Sequence, residues 1–143
     1  MANTLISFLG TNAYIRCSYY FENDPSNAVR DVRFIQEAIV RKYCQDWSQD
    51  DRILICMTEK AEKYNWEQVN TNKLDGTTEQ SFPPHTLEEG LRLSGTKASI
   101  EAVRSMDEGF TEDGTWSIFS RIVELVRQGD TLWLDITHGF RSL

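Results

Sequence analysis

Short apolar runs alternate with longer amphipathic segments along the chain. Residues 4–9 and 52–57 form short, mainly apolar runs between polar turns, residues 98–104 form a weaker one, and residues 132–136 form one interrupted by Asp135. Apolar runs of this length predict strands, and those at 4–9, 52–57 and 132–136 are typical of strands covered on both faces.

The segments between these runs carry helical spacing. Residues 27–45 and 115–128 place apolar side chains three and four positions apart, which predicts two long helices. Pro25, Ser26 and Asn27 precede the first, and Gly129 follows the second as a helix stop. Residues 61–68 and 86–95 predict shorter helices, whereas residues 10–24 predict a long connection and residues 70–84 a mobile loop.

Alternation of strands and helices predicts an α/β fold with a mostly parallel sheet and flanking helices. The common doubly wound order places the first strand between the second and the last, so residues 9 and 136 should end neighbouring strands. The chain ends soon after the last strand. We therefore expect a fold that is incomplete at its C-terminus, with the last strand as an open edge, either as part of a longer protein or with its missing layer supplied by another chain.

Composition limits the possible functions. A length of 143 residues suits one domain, and a net charge of −7 argues against binding of duplex DNA or RNA. No apolar run is long enough to span a membrane and no signal peptide precedes the first strand, so neither membrane insertion nor export is expected. Three cysteines without a CxxC pair predict reduced thiols in a cytoplasmic protein, with no metal site.

Polar, anion-binding residue types follow the first and last strands. These candidate ligand-binding residues are Gly10, Thr11, Asn12, Tyr14, Thr137, His138, Gly139 and Arg141. Turns at the carboxyl ends of neighbouring parallel strands are the usual ligand site of an open α/β sheet. The alternatives remain open: the glycines, Thr11 and Asn12 also suit tight turns, His138 suits a turn cap, Tyr14 suits a core, and Arg141 suits a salt bridge or the solvated surface. Neither GxGxxG nor a Walker lysine is present, so a dinucleotide or triphosphate cofactor is not expected.

The stretch 135–143 has the sequence DITHGFRSL, and residues 7–14 have the sequence SFLGTNAY. Both resemble the CARF family, the Rossmann-like sensor domains of type III CRISPR antiviral defence, in the branch with a D-x-T-H-G-F-R motif. Residues 51–55 are also similar. The resemblance covers residues 1–143 in outline, as the N-terminal part of a sensor domain whose effector domain is absent from this chain.

The resemblance implies a homodimer that binds cyclic oligoadenylate across its two-fold axis and controls a C-terminal effector, often a HEPN ribonuclease. Backbone N–H groups near Gly10 and Gly139 would hold the ring phosphates. The Thr11 and Thr137 hydroxyls and the Arg141 guanidinium would hold them too. Adenine would contact Asn12 and Tyr14, and no cofactor is implied.

Two other functions remain open. The first is a ring nuclease that cleaves cyclic oligoadenylate by metal-free attack of a ribose 2′-hydroxyl, for which Thr11, Thr137, His138 and Arg141 are the candidate catalytic residues. The second is a generic nucleotide-binding or assembly domain. Asp135, an acid within an apolar run, is predicted to be structural and to hold the turn that follows it.

Overall fold

The computed structural model of the protein describes residues 2–11, 14, 17–21, 24–69 and 85–138. Its strands are β1 (Asn3–Phe8), β2 (Cys17–Phe21), β3 (Asp24–Val32), β4 (Arg52–Cys56), β5 (Ser99–Val103) and β6 (Thr131–Asp135). Its helices are α1 (Ile35–Tyr43), α2 (Glu59–Ala61), α3 (Leu87–Leu93) and α4 (Glu112–Leu125), with π-helical residues Glu62–Glu67 directly after α2.

The main sheet has four parallel strands in the order β5-β4-β1-β6. Ile6 of β1 lies opposite Leu54 on one side and Leu134 on the other. The predicted strand order is therefore confirmed, with the first strand between the second and last of the four. Strands of this sheet alternate with helices along the chain, and the protein has a mixed α/β fold consistent with the Rossmann-like class.

The chain divides into two compact units. The first comprises the described residues within Met1–Gly10, Trp47–Glu62 and Ala98–Leu143, and it contains the parallel sheet and α4. The second comprises those within Thr11–Asp46 and Lys63–Lys97, and it contains the antiparallel β2–β3 hairpin, α1 and α3.

One face of the parallel sheet packs against α4. Ile118 and Ile122 of this helix join Ile6, Phe8 and Leu54 in one buried cluster. All five residues of β4 are buried, and so are five of the six in β1. The prediction that these two strands are covered on both faces is thus confirmed.

The prediction of a buried last strand is wrong. Four of the five residues of β6 are exposed, and Leu134 retains 49 % of its accessible surface. An apolar run shows that a strand can be buried, but its position in the sheet decides whether it is. Only β1 pairs with β6 among the described strands, so β6 is the open edge that the sequence also predicted.

The predicted helix at residues 27–45 begins too early, because residues 24–32 form β3. Val29 and Val32 face Tyr19 and Cys17, so three steps along β3 match two along β2. This offset marks a β-bulge, near which Asp31 has a φ of 59°. The bulge interrupts the alternation of side chains between the two faces of the strand, so Val29 and Val32 lie three positions apart, as apolar residues do in a helix. The predicted connection at residues 10–24 likewise contains a strand, β2.

The other helix predictions are confirmed with shifted ends. α4 begins at Glu112, three residues before the predicted start, because the Thr111 hydroxyl accepts a hydrogen bond from the Gly114 N–H. α3 begins after Thr86, which forms a capping box with Glu89. The helix predicted at residues 61–68 is observed as α2 followed by the π-helical residues Glu62–Glu67. The predicted loop at 70–84 lies outside the described residues.

All three cysteines lie among the described residues. Cys17 is an exposed free thiol, and Cys44 and Cys56 are buried free thiols. Across the part of the chain that the structure describes, no helix has the length and apolar character needed to cross a membrane. Within the same residues, no group of three or more His, Cys, Asp or Glu side chains is arranged to hold a metal ion.

Candidate functional site at the carboxyl ends of β1 and β6

The strands β1 and β6 end side by side in the first unit. Ser7 is paired with Asp135, the last residue of β6. Three residues beyond this pair lie Gly10 on one chain segment and His138 on the other. The sheet therefore directs the two predicted binding turns from neighbouring strands toward the same edge.

A hydrogen-bond network centred on Asp135 fixes this edge. The buried Ser7 hydroxyl donates to Asp135 Oδ2 at 2.7 Å, which joins the two strands through their side chains. The Thr137 backbone N–H and hydroxyl donate to Asp135 Oδ1 at 3.0 and 2.5 Å. The prediction that Asp135 holds the following turn is confirmed.

His138 is half-buried directly after Thr137. Its partial burial disfavours the charged imidazolium and lowers its pKa, an effect that the negative charge of Asp135 opposes. The net lowering keeps the His138 ring neutral at pH 7, so the ring has one nitrogen that donates and one that accepts.

The predicted site residues divide between the two units. Gly10, Thr137 and His138 belong to the first, and Thr11 and Tyr14 belong to the second. Asn12, Gly139 and Arg141 lie outside the described residues, so their roles stay predictions. The pairing of β1 with β6 thus brings together only Gly10, Thr137 and His138.

Tyr14 packs within its own unit. Its ring meets that of Phe34 edge-on, with centroids 5.5 Å apart, and its backbone carbonyl accepts a 2.6 Å hydrogen bond from Arg33 Nε. Phe34 is buried, so this contact favours the core-packing alternative for the Tyr14 ring.

The second unit contains a buried polar cluster that the sequence pattern did not predict. Glu37 Oε1 lies 2.8 Å from His85 Nε2, and Glu37 Oε2 accepts the backbone N–H groups of Arg33 and Phe34 at 2.8 and 2.9 Å. The Arg33 guanidinium donates to the His85 carbonyl at 2.7 Å. Glu37 therefore caps the start of α1 and links it to the chain entering α3.

Opposing effects act on the pKa of Glu37. Burial alone would raise it, but hydrogen bonds from His85, Phe34 and Arg33, together with the charge of His85, bring it below the ordinary value. Burial also lowers the pKa of Arg33, and the charge of Glu37 partly restores it. The cluster joins α1 to the chain entering α3 within the second unit, and the polar atoms of Glu37, His85 and Arg33 are used in these hydrogen bonds.

The sequence contained part of the information needed to find these residues. Ser7 is the only polar residue among positions 5–9, and an acid in a neighbouring apolar strand requires a donor. For Glu37 no such indication existed, because the predicted helix placed it well inside the segment rather than in the first turn.

Comparison with known proteins adds no family assignment. No protein-family model matches the chain. A search of curated proteins likewise finds no match to its sequence.

Proposed function

We propose that this protein is a cytoplasmic sensor module of type III CRISPR antiviral defence that binds cyclic oligoadenylate at the carboxyl ends of β1 and β6. The observation that carries the proposal is the adjacency of these strand ends, with Ser7 and Asp135 in register and the D-x-T-H turn held by Asp135. The resemblance of residues 135–143 to the CARF motif supplies the ligand class.

A phosphate-bearing ligand at this edge is compatible with the net charge of −7. Backbone N–H groups at turns after parallel strands bind anions locally, and a few aimed donors outweigh the overall charge. A ring with two-fold symmetry fits a homodimer in which each copy offers the same turn. The proposal accordingly includes a homodimer and control of a C-terminal effector, such as a HEPN ribonuclease, in a longer parent protein.

A ring nuclease is the second candidate, favoured by the state of His138. Its neutral, half-buried imidazole can accept the proton of a ribose 2′-hydroxyl as that oxygen attacks the adjacent phosphorus. The 5′-oxygen of the next nucleotide then leaves as a 5′-hydroxyl protonated by water, and the His138 imidazolium returns its proton to solvent. The product is a linear chain with a 2′,3′-cyclic phosphate end.

Calorimetric titration with cyclic tetra-adenylate and cyclic hexa-adenylate tests the proposal. We expect one of the rings to bind at one ring per two chains, and Arg141→Ala to weaken that binding because it removes a predicted phosphate contact. Arg127→Ala removes the same charge from an exposed position before β6 and serves as the matched control.

Recovery of the ligand separates the two candidates. Intact ring after incubation supports the sensor alone, whereas linear product whose formation is lost in His138→Ala supports the ring nuclease. Failure of the folded protein to bind either ring would contradict both.

A further inference from the structure

The hydrogen of the Thr137 hydroxyl is committed to Asp135. Thr137 Oγ1 lies 2.5 Å from Asp135 Oδ1, at the short end of the range for a hydroxyl donating to a carboxylate. A carboxylate only accepts hydrogen bonds, so the hydroxyl must be the donor. Its oxygen then has lone pairs to offer a ligand but no hydrogen.

The neighbouring strand keeps the carboxylate in this position. The Ser7 hydroxyl donates to Asp135 Oδ2 at 2.7 Å, and Ser7 itself is fully buried in β1. The backbone N–H of Thr137 donates to Oδ1 at 3.0 Å. Rotating Asp135 away to release the Thr137 hydroxyl would break all three hydrogen bonds together.

Thr137 is exposed, so a ligand at this edge of the sheet can reach it. A phosphate oxygen is itself an acceptor and would face the lone pairs of Thr137 Oγ1. A hydrogen-bond donor would be matched to them. The sequence predicted the opposite hydrogen-bond direction, in which the Thr137 hydroxyl donates to a phosphate.

We propose that Thr137 acts as a hydrogen-bond acceptor that selects a donor group of the ligand, and that it does not hold phosphate. This inference rests on the proposed function, because it specifies which part of a cyclic oligoadenylate meets the β6 turn. Two groups of such a ring supply the required hydrogen: the ribose 2′-hydroxyl and the adenine 6-amino group. Phosphates are left to backbone N–H groups and Arg141.

Ring analogues distinguish these sources. A cyclic oligo-deoxyadenylate lacks the 2′-hydroxyl, and a cyclic oligo-inosinate carries an acceptor in place of the 6-amino group. Each analogue would be titrated against the wild type, Thr137→Val, Thr137→Ser and the matched control Thr131→Val, which alters an exposed threonine at the opposite end of β6.

We expect the wild type to bind one analogue about ten- to a hundredfold more weakly than cyclic oligoadenylate, the effect of two hydrogen bonds, one from Thr137 of each copy in the dimer. Thr137→Val should bind that analogue and the parent ring equally, because it has no acceptor to satisfy. Thr137→Ser and Thr131→Val should keep the preference. Equal binding of all rings by the wild type, or an unchanged preference in Thr137→Val, would overturn the inference while leaving the proposed function intact.

A ligand-free measurement separates the two levels of failure. Three-bond couplings measured by nuclear magnetic resonance should show a single Thr137 side-chain rotamer, the one that places Oγ1 beside Asp135 Oδ1. If that rotamer is found and no ring binds, the proposed function fails, and the inference with it. If the side chain averages over several rotamers while a ring binds, the inference alone fails.

Discussion

A β-carbon on Gly90 would lie 2.3 Å from Oε1 of Glu37, so α3 approaches the buried carboxylate more closely than any side chain allows. Glycine is therefore required at position 90 because Glu37 leaves no room for a side chain. The backbone of Gly90 itself has an ordinary helical conformation. The glycine lets Glu37 bond to His85 while capping α1.

Replacing Gly90 with alanine should destabilise the protein by about 1–3 kcal/mol, the usual cost of overpacking, because Glu37 must move and loses hydrogen bonds. The higher helix propensity of alanine offsets part of this loss. Urea unfolding measures the change. Arg92→Ala, an exposed change on the same helix, should shift stability by less than about 0.5 kcal/mol. A Gly90→Ala protein as stable as the wild type would show that the carboxylate is not fixed.

Acid should weaken the second unit through Glu37. Its pKa is lower in the folded protein than its ordinary value near ~4.3, so the unfolded chain binds the proton more readily. The stabilisation is thus fully present above that ordinary value and is lost as the pH falls through the lower folded pKa. Hence the stability difference between wild type and Glu37→Gln should narrow on going from pH 5 to pH 3.

Urea unfolding at each pH measures this difference, with His85 and Arg33 retained in both proteins. Glu67→Gln, at an exposed position of the π-helical segment, provides the control for a general acid effect. A difference that stays constant across the range would contradict the lowered pKa.

Ser7→Ala should cost about 1–2 kcal/mol, because it leaves Asp135 Oδ2 without its buried donor. The matched control is Ser120→Ala on the exposed side of α4, which should be nearly neutral. Hydrogen exchange provides a local measurement: β6 amides should lose more protection than β4 amides. Equal loss in both strands would mean that Ser7 supports the core and not the β1–β6 junction.

The three thiols should differ in reactivity. Burial raises the pKa of Cys56 to about 12, although the charge of Arg121 acts in the opposite direction, so little thiolate exists at pH 8. Cys44 is buried as well, whereas Cys17 is exposed on β2. An alkylating reagent at pH 8 should modify one cysteine of the folded protein and three in denaturant. Cys17→Ser should abolish the native reaction, and rapid native modification of Cys56 would contradict its burial.

The sequence predicted the parallel sheet because short, mainly apolar runs alternate with helical segments, and it predicted the strand order because this order is the common doubly wound one. It failed at β3, where the bulge at Asp31 gave Val29 and Val32 a helix-like spacing. At the site, the role of Asp135 was predictable because an acid in a buried run needs donors. The hydrogen bond from the Thr137 hydroxyl to Asp135 was not, since it depends on the side-chain geometry that brings Thr137 Oγ1 beside Asp135 Oδ1.

The open edge of β6 has a practical consequence for work with the purified protein. Leu132, Leu134 and Ile136 expose between 42 and 49 % of their surface along a strand edge that no other described strand covers, a combination that recruits other extended chains. Concentration should therefore be limited by sheet-mediated precipitation more than by unfolding. A lysine substitution at Leu134 would raise solubility without entering the core, and would make crystallisation trials and long spectroscopic measurements practicable.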